Sequence, residues 1–350
     1  MTAPTTGEPR DPGGVLHEVE SLLAAGDYRR AEEIVRAALA TDPHNPWLLT
    51  AYARVKIGRS DWTTAAASAH AALAVDPDNE HTMRVYTRAL EMLGRLQDAR
   101  WMAGRTVATH PSSHQAHYAH ARLLAATGRT AEAMAVVNEA LRLNPSDVDS
   151  LVLRGNIFAT LKQYQPAETD YRAALHLNPA DADAVHGFAL LDHARGGTWS
   201  AVRGLLAAER LDPAYRDMVR QNVGAILGGV LRKSAWVVLI VGFAVIVAFT
   251  LHEDGHPTVT PRIVAGVGAV MLVVMFARVV RGIPTGTIGS VLRERQMLVI
   301  RIGQLVGGVV LGAVTAALGA MTLPSVLASL LVLSLPVVMI VGYFTDERLW

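Results

Sequence analysis

The sequence predicts an all-α protein: a solenoid of paired helices followed by a four-helix transmembrane bundle. Three observations predict it. Pro43, Pro77, Pro111, Pro145, Pro179 and Pro213 recur every 34 residues. Two positions that hold small side chains keep the same period, and four apolar runs occupy the last third of the chain. Helical pairs of fixed length that bury their apolar faces only against their neighbours produce the first two patterns, and bilayer crossing produces the third.

Twelve residues before the prolines stand Ala31, Ala65, Ala99, Ala133, Ala167 and Ala201. Five residues before them stand Ala38, Ala72, Thr106, Ala140, Ala174 and Ala208. Small side chains where two helices cross let the backbones approach, and a bulkier residue would push the pair apart. Gly26, Gly94, Gly128 and Gly196 are placed to end first helices in a left-handed cap. The prolines end second helices. The stretch from Leu151 to Pro179 is the best-formed unit, two amphipathic runs hinged at Lys162, Gln163 and Tyr164.

On these residues the chain resembles the tetratricopeptide repeat (TPR) family, as six units from about Pro12 to Tyr215. The resemblance implies a TPR superhelical solenoid whose concave face is lined by first helices. It departs from the family where an aromatic residue is usual early in the first helix, having Val15, Leu49, Met83, His117, Leu151 and Val185 instead. Unit one carries Val19 where later units have Ala53, Ala121, Gly155 and Ala189. Unit four, with His117 and His120 facing inward, matches least well.

The family's groove positions are the second, fifth, ninth and twelfth residues of the first helix. Here the ninth reads Glu20, Arg54, Arg88, Arg122, Asn156 and Leu190, and Arg84 lies one turn before Arg88. A row of guanidinium groups on a concave wall suits carboxylates, which arginine grips in bidentate geometry. Trp47 and Tyr118 fall at other groove positions and offer stacking or apolar contact, and Asn156 offers hydrogen bonds to a ligand backbone. The predicted partner-binding residues are therefore Arg54, Arg84, Arg88, Arg122, Tyr118, Asn156 and Trp47, and the predicted partner is a protein or peptide with an acidic segment. The lysines and paired asparagines of the family's carboxylate-clamp subset are missing, so a chaperone-type tail is not implied.

Composition narrows the chemistry further. The net charge of +1 argues against nucleic acid as a partner, and with no cysteine the chain has no disulfides, thiolate zinc sites or cysteine nucleophiles. His110, His114, His117 and His120 lie close in sequence, but packing and turn positions account for them. His252, Glu253, Asp254 and His256 read as a polar hairpin loop. No metal, cofactor or catalytic residue is assigned. There is no phosphate loop, zinc signature or buried membrane carboxylate, so no enzyme is expected. Only Lys56, Lys162 and Lys233 stand among 32 basic residues, a bias common in GC-rich bacterial genomes.

Residues 1–11 read as a short disordered lead without the features of a signal peptide, and 12–215 as the repeat domain. Residues 216–233 read as a connecting helix, and 234–350 as the membrane domain. The expected spans are Ala235 to Leu251, Ile263 to Val280, Ile302 to Met321 and Val326 to Phe344, with a turn at Thr322 to Ser325 before the last. Ile288 to Ile300 suits the membrane interface. Arg232 and Lys233 precede the first span, and Arg278, Arg281, Arg293, Arg295 and Arg301 fall between the second and third. By the positive-inside rule both termini and the repeats are cytoplasmic. Gly303, Gly307, Gly308 and Gly312 suit close packing in lipid, within the chain or with a second copy in a homo-oligomer.

The functional expectation is a membrane-anchored adaptor or scaffold that recruits a protein to the bilayer. The alternatives are a membrane enzyme or transporter subunit with regulatory repeats, and an assembly factor for other membrane proteins.

Overall fold

A computed structural model describes residues 12–282, 289, 291–293, 296–319 and 321–346. The predicted disordered lead, and residues 288, 290, 294 and 295 of the predicted interfacial segment, lie outside them. All regular elements among the described residues are helices. The chain forms two compact units, Met1–Pro179 and Ala180–Trp350.

The first unit is five helical pairs: α1 (Pro12–Ala24) with α2 (Tyr28–Thr41), α3 (Pro46–Gly58) with α4 (Trp62–Val75), α5 (Glu80–Met92) with α6 (Leu96–Thr109), α7 (His114–Ala126) with α8 (Thr130–Leu143), and α9 (Val148–Thr160) with α10 (Tyr164–Leu177). First helices start where a short polar side chain accepts the unpaired amides, from Asn45, Asn79, Ser113 and Asp147. Second helices stop at Asp42, Asp76, His110, Asn144 and Asn178, each the residue before a periodic proline, where the proline ring disfavours helix.

Ala31, Ala65, Ala99, Ala133 and Ala167 are wholly buried at the crossings. Thr106, which replaces an alanine of the repeat, fits because its hydroxyl donates to the Met102 carbonyl at 2.8 Å. The left-handed cap holds at Gly26, Gly94 and Gly128, with φ of 75°, 74° and 76°. The units that lack glycine there put Ser60 and Lys162 in the same conformation, each at φ 59°. That conformation is costly for residues with a Cβ.

A buried charge cluster ties the first two pairs together. The Glu32 carboxylate is 3% exposed, forms ion pairs with Lys56 Nζ and an Arg36 Nη, each at 2.9 Å, and accepts from Arg59. Burial raises the pKa of this carboxyl, but Lys56 and Arg59 outweigh it and hold the group below its usual range.

The second unit holds the sixth helical pair, α11 (Ala182–Ala194) and α12 (Thr198–Leu211), then α13 (Arg216–Glu253), α14 (Val259–Gly282), α15 (Gln296–Leu318) and α16 (Thr322–Asp346). The sequence reads residues 216–233 as a connector before the first span. In the structure connector and span are one unbroken helix of 38 residues, about 57 Å long at 1.5 Å per residue. Val202, Leu205 and Leu206 of α12 share a single apolar core with Val219, Val223 and Ile226 of α13 and with Leu272, Leu305 and Leu335 of the later helices.

Among the described residues, three helices are long and apolar enough to cross a membrane, over Pro213–Glu253, Val259–Arg278 and Met297–Leu318. A fourth apolar stretch, Thr322–Val338, is shorter. The turn expected at Thr322 to Ser325 lies earlier: Gly319 takes φ 90° and Thr322 already begins α16. Pro324 therefore falls in a first helical turn, where proline forfeits no helical hydrogen bond.

The α15 glycines pack chiefly within the chain. A Cβ at Gly312 would stand 2.7 Å from the Ala265 carbonyl of α14, and one at Gly308 would meet Leu272 and Val238 at 3.1 and 3.3 Å. Gly307 faces Leu331, whereas a Cβ at Gly303 would meet nothing within 4 Å.

Candidate functional site: a basic cavity on the repeat unit

Arg54 on α3 and Arg84 and Arg88 on α5 line one cavity of about 470 Å³ with Leu23, Tyr28, Ile57, Gly58, His81 and Val85. One turn separates Arg84 from Arg88 on α5, so their side chains share a face. Gly58 keeps the floor open beneath Tyr28, because a Cβ there would collide with the tyrosine ring. The walls are therefore cationic and the floor is aromatic and aliphatic.

Each arginine has an intramolecular carboxylate. Arg54 pairs with Glu20, the ninth-position residue of the preceding unit. Arg84 lies 3.4 Å from Glu80, and Arg88 donates to Glu91 at 3.0 Å. None of the three glutamates lines the cavity, so the arginines are its charged lining residues apart from His81. A guanidinium has five N–H donors, and a single carboxylate contact leaves donors for a second acceptor.

Arg122 is held differently. Both of its terminal nitrogens donate to the two oxygens of Glu91 at 2.5 Å, a bidentate pair that joins α7 to α5. Burial raises the Glu91 pKa, but Arg122 and Arg88 outweigh burial and hold the carboxyl below its usual range. Arg122 does not line the cavity. Its fork is occupied by Glu91, which it shares with Arg88.

The remaining predicted residues lie apart from the cavity. Trp47 is 55% exposed in the first turn of α3. Tyr118 is partly buried against the core formed by Ala121, Leu124 and Leu153. The Asn156 side-chain oxygen accepts from the Tyr171 hydroxyl at 2.6 Å, and burial pushes that phenol upward in pKa.

Beside the arginines, His81 is a titratable residue of the cavity lining, and it is absent from the predicted site residues. It is the second residue of α5 and Glu91 is the twelfth, so both stand at groove positions of the same phase that picked out Arg84 and Arg88. His81 sits exposed at the cavity rim. Partial removal from water, then the charges of Arg54 and Arg84, lower its pKa.

His110 and His117 are held by backbone carbonyls. His110 Nε2 is 2.6 Å from the Asp78 carbonyl, and His117 Nε2 is 2.9 Å from the Pro111 carbonyl. Among the described residues no group of three or more His, Cys, Asp or Glu is arranged to hold a metal ion.

Family models described as tetratricopeptide repeat match residues 22–59 and, in two overlapping placements, 93–148 and 118–185. The chain thus carries tetratricopeptide repeats. No curated protein matches the sequence. Among solved structures, PilW, titled a widely conserved type IV pilus biogenesis factor, aligns at 18% identity with a TM-score of 0.50, over 57% of this chain and 93% of that one. The pilF protein of Pseudomonas aeruginosa aligns at 19% identity with a TM-score of 0.49, over 59% of this chain and 95% of that one. At 18% identity the likeness to PilW is one of fold.

Proposed function

We propose that this tetratricopeptide-repeat chain is a membrane-anchored adaptor, without enzymatic activity, whose repeat unit captures an acidic segment of a partner protein. The observation that carries the proposal is the convergence of Arg54, Arg84 and Arg88 on one cavity. A ligand carboxylate entering it meets guanidinium donors on two walls, and an apolar neighbour on the same ligand meets Tyr28, Ile57 and Val85. Concave walls concentrate the field of these charges more than a convex surface would. Arg122 supports the site by holding Glu91, and Trp47, Tyr118 and Asn156 serve a longer ligand that extends along the first helices.

The anchor reading rests on the three long apolar helices, with α16 as a fourth span. The basic residues between the second and third spans support a cytoplasmic position for both termini and for the repeats. Gly303 is the glycine of the motif that faces open space, so any pairing with a second copy runs through it in this reading.

The test is a peptide-library selection against the full-length protein in detergent micelles. Enrichment of Asp and Glu beside an apolar residue, weakened by salt, is expected. Selection without acidic enrichment would overturn the proposal.

A further inference from the structure

A second cavity, of about 520 Å³, lies in the other unit and plays no part in peptide capture. Val259, Arg262, Ile263, Gly266, Val267 and Val270 of α14 line it with Ala316 of α15. Ile263, Val267 and Val270 are each at least 60% exposed and follow one another at helical spacing, so they form an apolar strip along one face of α14. Gly266 keeps the floor open, since a Cβ there would stand 3.1 Å from the Ala316 methyl.

Arg262 is the charged residue of this lining. It lies in the first turn of α14, and Val270 lies about 12 Å further along the helix axis at 1.5 Å per residue. In a bilayer that puts the guanidinium at headgroup level and the strip at the depth of the acyl chains. The guanidinium is fixed there: an Nη donates to the Ala316 carbonyl at 3.0 Å. Arg262 thereby closes the C-terminal end of α15, where unpaired carbonyls concentrate negative potential. Its other N–H donors remain available to an anionic group.

We propose that this groove is a binding site for an anionic phospholipid, with the phosphate on Arg262 and one acyl chain along Ile263, Val267 and Val270. A zwitterionic lipid fits the apolar strip equally well but brings its own cation beside the arginine, so the site discriminates by headgroup charge. The inference rests on α14 lying in a bilayer, which recovery of the protein in carbonate-washed membranes tests separately.

Native mass spectrometry of the full-length protein, released from detergent micelles after incubation with phosphatidylglycerol or phosphatidylcholine, reads the site directly. Phosphatidylglycerol adducts are expected to survive preferentially in the wild type. R262Q should reduce that preference about fivefold, the effect of one basic residue near an anionic surface. V267W, which fills the groove and keeps Arg262, should abolish the retained adduct, and it decides the matter alone if loss of the α15 cap prevents R262Q from folding. R278Q, near the opposite end of α14, should keep the wild-type preference. Equal retention of both lipids by the wild type, survival of the preference in R262Q or V267W, or its equal loss in R278Q would each overturn the proposal.

Discussion

Replacing Glu91 by glutamine should move stability and ligand affinity in opposite directions. Glu91 holds Arg122 through two contacts at 2.5 Å and Arg88 through one at 3.0 Å, with its side chain 14% exposed. A hydrogen bond to a charged group contributes about 1.5–3 kcal/mol. Glutamine keeps one acceptor but turns an N–H toward the Arg122 fork, so about 2 kcal/mol should be lost. For a unit of this size that is about 5 °C in Tm. Arg88, freed of its carboxylate, should bind an acidic peptide more tightly, by up to tenfold if about 1.4 kcal/mol of competition is removed. The pH dependence has a definite sign. The folded pKa of Glu91 lies below its ordinary value of 4.5, so its stabilisation is complete above about pH 4.5 and disappears as pH falls through the depressed value. E91Q should therefore show a smaller acid-induced loss of Tm than the wild type. Melting curves and peptide titrations of both proteins, full-length in detergent, make the comparison. An unchanged Tm, or a parallel fall in stability and affinity, would refute the reasoning.

Lys162→Gly should raise stability by about 1 kcal/mol, because Lys162 takes φ 59° at the cap that glycine fills in other units; Ser60→Gly should act alike, and a lower Tm in both variants would contradict this. Gly312→Leu should disrupt packing of α14 on α15 by about 3 kcal/mol while Gly303→Leu is tolerated, as read by resistance to SDS unfolding. An acidic peptide should bind more tightly near pH 6 than near pH 7.5. Its carboxylate favours protonation of His81, whose pKa is lowered by partial removal from water and by the flanking arginines. His81→Asn should flatten that dependence in titrations at the two pH values.

Most of the architecture was legible because the repeat imposes one solution on each unit. A fixed interval between prolines, with alanine at each crossing, specifies helix lengths and contacts together. The caps at Ser60 and Lys162 were less legible, since neither residue advertises a left-handed conformation. Only the pitch of the flanking helices forces it. The turn at Gly319 was hidden by Pro324, which reads as a helix stop but sits equally well in a first turn. In the cavity, the phase of the repeat located Arg54, Arg84 and Arg88. It did not show that Arg122 is committed to Glu91, because that depends on where two long side chains from adjacent units meet. Periodicity places backbone positions, whereas pairing depends on rotamers.

The central claim is that three arginines of the second and third helical pairs form an acceptor for acidic peptide. The most direct measurement compares the full-length wild type with R54A/R84A/R88A for binding of an Asp- and Glu-containing peptide from the library selection, by fluorescence anisotropy at low and high salt. The account expects salt-sensitive binding by the wild type and a loss of at least tenfold in the triple variant, with its melting curve still cooperative. Equal affinity in the two proteins at low salt would contradict it.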